Sequence, residues 1–224
     1  MKRISRYSFS FLMLLYTLAA SGQDADTVKA SRSLSIGVDL TGPVLYSLDR
    51  SKYNFEGRLA YRLNYKYFLV IEPGYSGFNF EKHNYEYYSR GMYLRVGTDI
   101  SLLAPVASRI NHFAGIGFRY GLSLFQQATP SISFNNYWGH IDTSVEENSV
   151  NAHFIELQGG VKTEVFTNFL IGWAVKLRTS VYSSGKNGKK AVYIPGMGST
   201  DSFIAPAVSY YIIYRFPLPD PSSE

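Results

Sequence analysis

Residues 114–124 read Ala-Gly-Ile-Gly-Phe-Arg-Tyr-Gly-Leu-Ser-Leu. The even positions Ala114, Ile116, Phe118, Tyr120, Leu122 and Leu124 are apolar. The odd positions Gly115, Gly117, Arg119, Gly121 and Ser123 are small or charged. Alternation at period two puts the two sets on opposite faces of a β-strand, whereas a helix would mix them on every face.

The same period recurs on both sides of this segment. Upstream it appears in Leu34–Leu40, Phe55–Leu63, Tyr67–Tyr75 and Met92–Leu102; downstream it appears in Ile155–Val165, Phe169–Val181 and Ile204–Phe216. Helical periodicity is not expected anywhere after the N-terminal leader. Eight such strands separated by turn chemistry predict an all-β chain, one eight-stranded antiparallel up-and-down transmembrane β-barrel.

Charge is divided by face. The apolar rows of the eight segments contain no charged residue, although 17% of the chain is charged. The opposite rows carry fourteen: Asp39, Glu56, Arg58, Arg62, Glu72, Arg95, Asp99, Arg119, Glu156, Lys162, Glu164, Lys176, Arg178 and Arg215. Period two alone does not say which row faces outward. A soluble lipocalin-like barrel would turn the apolar row inward around a ligand; an outer-membrane barrel turns it toward lipid. Lipid is favoured because an eight-stranded interior is narrow and suits the Gly-, Ala- and Ser-rich row better than one crowded with aromatics. Short and long connections also alternate: Asn64–Lys66 and Phe166–Asn168 are short, whereas Gln126–Ser149 and Ser184–Asp201 are long, with Glu81–Ser89 and Leu103–Ile110 between. Aromatics gather at strand ends as candidate interfacial girdles: Tyr61, Tyr65, Tyr67, Phe166, Phe169, Tyr214 and Phe216 at one end, Tyr75, Phe125 and Tyr182 at the other. On this orientation Gly97→Ser, on the small row, is expected to be tolerated.

The ends of the chain set its destination. Lys2, Arg3 and Arg6 precede an apolar stretch from Phe9 to Ala20 and then Ser21 and Gly22, the pattern of a secretory signal peptide over residues 1–22. Residues 23–32 read as a periplasmic lead-in, 33–217 as the barrel and 218–224 as a short tail. No later stretch is long and apolar enough for a spanning helix. The formal charge of +5 falls when the leader's three basic residues are set aside, leaving 19 basic against 17 acidic residues and no tract for a nucleic acid. With no Cys, the chain has no disulfide framework, thiolate metal site or Cys nucleophile.

The residues resemble the small eight-stranded outer-membrane β-barrel proteins of Gram-negative bacteria, most closely a Bacteroidota outer-membrane family to which no activity is assigned. The resemblance rests on Ser35-Ile36-Gly37-Val38-Asp39-Leu40-Thr41-Gly42-Pro43, Tyr137-Trp138-Gly139 and Tyr193-Ile194-Pro195-Gly196. The last strand, with alternating aromatics ending at Phe216, is similar to the C-terminal signal read by the barrel assembly machinery; here Pro217 to Glu224 follow it. The resemblance implies location and architecture, with outer-membrane lipids and the assembly machinery as partners, and no cofactor.

Chemistry is sparse. His140, Asp142 and Ser144 in the longest loop have the residue types of a hydrolytic triad, which would make the chain a lipid-modifying enzyme, yet a loop fixes no geometry between them. No metal-ligand spacing appears, and neither catalytic nor cofactor-binding residues are assigned. The expected function is therefore non-enzymatic. The charged row, without Asp39, supplies the candidate lumen ion pairs that fill the interior. Phe134, Tyr137 and Trp138 in the longest loop are the candidate contacts to an unidentified extracellular partner.

Overall fold

In the computed structural model, residues 32–82, 85–103, 111–136, 139–184 and 191–218 are described. The elements in chain order are β1 (Ser33–Asp39), α1 (Thr41–Leu48), β2 (Lys52–Arg62), β3 (Tyr67–Lys82), β4 (Tyr85–Ser101), β5 (Phe113–Asn136) and β6 (Gly139–Phe166), then β7 (Phe169–Ser183), β8 (Tyr193–Ile194), β9 (Gly198–Ser199) and β10 (Ala205–Pro217). Eight strands close an antiparallel barrel in the order β1-β10-β7-β6-β5-β4-β3-β2, and β8 pairs with β9 in a small separate hairpin. Closure leaves the barrel wall no edge at the β1–β10 seam, where Ser33–Asp39 pairs with Tyr211–Pro217.

Each predicted apolar row faces outward. Met92, Phe118, Leu157, Trp173, Val175 and Val208 are among its exposed members. The opposite row faces inward and is buried along most of its length. The short connections lie at the end that holds both barrel termini, and local hydrogen bonds explain them. Asn64 Oδ1 accepts from the amides of Lys66 (2.9 Å) and Tyr67 (2.8 Å), the Asx pattern that reverses the chain between β2 and β3. Between β6 and β7 the turn needs a left-handed residue, and Asn168 supplies it at φ 64°. Its amide donates to Glu164 Oε1 at 2.7 Å.

Four expectations are corrected. A helix does follow the leader: α1 begins Thr41-Gly42-Pro43, with Pro43 in the first turn, where its missing N–H removes no helical bond. The Thr41 amide donates to Asp39 Oδ1 (2.8 Å), and Asp49 closes the helix through its amide to the Leu45 carbonyl (2.8 Å). At that exit the hydroxyl and amide of Ser51 hold the Asp49 carboxyl below its ordinary range. Eight residues are too few for amphipathic periodicity to stand out in the sequence. Second, the Gln126–Ser149 and Glu81–Ser89 connections are largely strand: β5 and β6 run on as a paired ribbon from Gln127↔Asn148 to Asn136↔Gly139, with slips in register at Gln127/Thr129 and Thr129/Ile132. There the apolar alternation stops, so period two no longer marks the strands. Third, Phe125 points inward and is buried, because it falls on the odd row of β5.

The fourth correction concerns Gly97. A Cβ there would overlap the Phe118 carbonyl oxygen and lie 2.9 Å from both Cα and Cδ of Arg119. Gly97 stands directly opposite Arg119 on β5, so backbone and guanidinium stem leave it no room. Gly159, facing outward on β6, has no heavy atom within 4 Å of an added Cβ. Gly97→Ala is therefore expected to destabilise the barrel by about 1–3 kcal/mol through overpacking. Gly159→Ala should stay within about 0.5 kcal/mol of wild type. Urea midpoints of the folded, heat-modifiable form measure both, and equal midpoints would contradict the packing described for Gly97.

Candidate functional site

The inward row builds one connected ion network. Arg95 on β4 pairs with Glu156 at 2.5 Å, Glu72 at 3.2 Å and Glu56. Asp99, two pleat repeats further along, accepts from Arg58 and Arg119 at 2.5 Å each, Lys162 at 2.7 Å and Gln158 at 2.8 Å. Arg58 joins the two centres by also pairing with Glu72. Lys176 reaches Glu56 at 3.0 Å, and Arg178 reaches Glu156 at 2.6 Å. Tyr93 and Tyr211 donate their hydroxyls to Glu56 at 3.0 and 3.2 Å. These residues come from β2, β3, β4, β5, β6, β7 and β10, so all but one strand of the barrel wall is tied to the same cluster.

Glycines opposite the large residues make the arrangement fit. Across the ladders Arg95 faces Gly121, Asp99 faces Gly117, and Arg119 faces Gly97 on one side and Glu156 on the other. Tyr93 faces Gly74, whose position lies directly under the tyrosine ring. Four carboxylates (Glu56, Glu72, Asp99, Glu156) thus meet six cations (Arg58, Arg95, Arg119, Lys162, Lys176, Arg178), and most of these side chains are completely shielded from solvent. At the short-turn end, Arg215 pairs with Glu164 at 2.5 Å and with Asn111 Oδ1 at 3.1 Å. Arg62 lies over the Phe68 ring at 5.1 Å. Every predicted lumen residue therefore lies inside, and all but Arg62 are placed by a described ion pair.

Sequence reasoning missed the mouth. Segment 191–200 folds inward at the long-loop end, around a type II turn over Ile194–Met197: Pro195 takes the second position, Gly196 the third at φ 80°, and the Met197 amide donates to the Ile194 carbonyl at 3.0 Å. Ile194 and Met197 are buried against Phe125, Val150, Phe154 and Ala191. Ser76 Oγ accepts from the Gly196 amide (3.1 Å), Ser89 Oγ donates to the Tyr193 carbonyl (3.0 Å), and the Tyr193 ring lies 5.1 Å from that of Phe78. The Pro-Gly pair was the available signal.

His140, Asp142 and Ser144 occupy alternate positions of β6 rather than a loop. His153 faces outward, with its Nδ1 2.6 Å from the Tyr120 hydroxyl, and His112 Nδ1 is 2.9 Å from Thr163 Oγ1. Among the described residues no three His, Asp or Glu side chains form a metal-binding group. Of the loop candidates, Phe134 sits in β5 opposite Ile141, while Tyr137 and Trp138 lie outside the described residues.

Fold and interior together define an eight-stranded antiparallel barrel with an apolar exterior and an ion-paired core. The chain belongs to the family described as Domain of unknown function (DUF6048), which matches residues 4–220. No curated protein matches it. Among solved structures it is similar to the N-terminal β-barrel domain of Pseudomonas aeruginosa OprF, with 8% identity over 84% of this chain and 100% of that one at a TM-score of 0.33. Acinetobacter baumannii CarO gives 13% identity, 87% and 100% coverage and a TM-score of 0.37. A major outer membrane protein from Thermus thermophilus gives 11% identity, 83% and 98% coverage and a TM-score of 0.41.

Asp99 tests the network. Asp99→Asn leaves Arg58, Arg119 and Lys162 around a neutral amide, and removal of one member of a buried ion cluster typically costs about 3–5 kcal/mol. Glu164→Gln removes one carboxylate from a single pair and leaves Arg215 its bond to Asn111 Oδ1, so it should cost less than Asp99→Asn. Unfolding free energies of the two variants in the same lipid or detergent compare them, and a penalty for Asp99→Asn no larger than for Glu164→Gln would contradict the central role given to Asp99.

Proposed function

We propose that this chain is a non-enzymatic integral outer-membrane barrel of a Gram-negative bacterium, exported by residues 1–22, with a closed interior and extracellular strand extensions that meet the cell surroundings. The observation that carries the reading is the inversion of ordinary burial. Water-soluble domains hide aromatic and aliphatic side chains and expose charge. Here the outward rows between the two rims are uncharged, with Trp173 54% exposed, while arginines and carboxylates occupy the interior. So continuous an apolar surface far exceeds what water-soluble monomers expose, and lipid is the solvent that suits it. A soluble ligand-carrying barrel would need the reverse orientation. The Bacteroidota affiliation rests on the three motifs quoted above.

The ion network together with the inward segment 191–200 supports the closed interior. Two layers of side chains lie across the barrel axis, one ionic and one apolar at the mouth. The β5–β6 ribbon extends beyond them, and Phe134, Tyr137 and Trp138 near its tip are the proposed contacts to an extracellular partner. Replacing Ser131–Glu147 with a Gly/Ser linker should preserve heat-modifiable folding and abolish surface-partner crosslinking. Unchanged crosslinking would remove the ribbon as the functional element.

Orientation and closure are measured separately. Leu94→Arg and Val175→Arg each place a cation on the outward belt, where mid-bilayer arginine costs about 2–4 kcal/mol in barrels, so both should lower the yield of folded protein in the outer-membrane fraction. Normal assembly of both would exclude the membrane orientation. Wild-type protein in planar bilayers should show no steady porin-sized conductance, and large stable channels would exclude the closed interior.

A further inference from the structure

The barrel wall is uneven at the long-loop end. β7 continues to Ser183, whereas β10 begins at Ala205 opposite Arg178. Residues 179–183 of β7 are paired only with β6, from Thr179↔Ile155 to Ser183↔Ala152, and the register slips by one residue at Val181. The chain that could have lined the other side turns into the mouth on Ile194 and Met197. A pocket of about 340 Å³ opens between, within the size range of small-molecule sites.

Its chemistry is amphiphilic. Val181, Ile194, Met197 and Phe203 supply apolar wall, and none of the described lining residues is charged. Phe203, at 81% exposure, and Val181 continue this wall into the outward apolar row. Thr179 Oγ1 and Ser183 Oγ are buried hydroxyls with no hydrogen-bond partner among the described residues, and buried polar groups ordinarily have one. The outward row of β7 from Phe169 to Leu177 spans about 26 Å along the strand and, at a tilt of about 40°, about 20 Å along the membrane normal, most of the ~25 Å apolar band of such barrels. Residues 179–183 therefore lie at headgroup level.

We propose that this notch is a lateral binding site for a single acyl chain of a lipid in the surrounding leaflet. The chain lies along Val181 and Phe203, and the head hydrogen-bonds with Thr179 and Ser183. Continuity with the apolar belt argues for entry from the membrane. The proposal rests on the outer-membrane reading above.

The test uses the full chain folded into phosphatidylcholine vesicles that contain a trace of monoacylglycerol with a photoreactive diazirine in its chain. After irradiation, peptide mass spectrometry should place saturable labelling on Val181–Ser183 and Met197–Phe203, and unlabelled monoacylglycerol should compete with it. Ser202→Trp fills the notch and Phe203→Ser removes a wall; each should lower that labelling about tenfold, the effect of losing roughly two buried methylenes. Labelling of the belt peptide around Val208 should not change. Both substitutions are at exposed positions, and the heat-modifiable shift verifies folding. Labelling at the notch no stronger than at the belt, labelling that is not competed, or labelling unaffected by both variants would overturn the site. A chain that does not enter vesicles would overturn the membrane reading itself, and the site with it.

Discussion

Arg95 and Asp99 are the two centres on which the barrel depends. Each stands on β4, each is fully buried, and each binds partners from strands on both sides of the barrel wall. A buried charge is tolerated only when its desolvation is offset by several well-placed opposite charges. Replacing such a cluster by apolar residues of equal volume is often neutral or stabilising, so the network's value here is positional. The charge of Arg95 is compensated only where Glu56, Glu72 and Glu156 converge, which fixes the relative placement of β2, β3, β4 and β6. A slip of one residue on any of these strands would turn its carboxylate outward.

That demand explains the glycines. A narrow interior cannot hold an arginine layer unless the facing positions recede, and Gly121, Gly117, Gly97 and Gly74 face Arg95, Asp99, Arg119 and Tyr93 respectively. The small residues on the inward row are the complement of the large ones. Because Gly97 and Arg119 form one packing unit, Gly97 does not accept even a β-carbon.

Much of this was legible in the sequence. The outward rows, the eight barrel strands and the inward set from Glu56 to Arg215 follow from period two, because two different environments act on alternate residues along each strand. The reading fails where only one environment acts. Beyond the belt, the run of alternating apolar residues breaks off within residues 126–149, so strands there look like loop. Phe125 misleads because its aromatic character suggests a girdle while its odd position in β5 turns it inward. The pairings within the lumen were not legible: alternation gives the face of Asp99, but its four partners come from β2, β5 and β6 and depend on barrel closure. Helix α1 is too short for its own period to show. The mouth segment was hidden because Ile194 and Met197 belong to no strand of the wall, although Pro195-Gly196 carried the type II turn in plain view.

The mouth and the notch have a common origin. Segment 191–203 has one chain to dispose of: it can lengthen β10 along the free side of β7, or turn inward and fill the barrel opening. The inward course buries Ile194 and Met197 on Phe125 and Phe154, and the Gly196 amide and Tyr193 carbonyl gain partners in Ser76 and Ser89. The same course leaves Thr179–Ser183 without a second neighbour strand among the described residues, and Thr179 Oγ1 and Ser183 Oγ stay buried without a hydrogen-bond partner there. The inward packing of 191–200 and the notch beside β7 are thus two consequences of a single turn at Pro195-Gly196. An occupant in the notch would rest against the same Ile194 and Met197 that pack on Phe125 and Phe154, so it would bear directly on that packing.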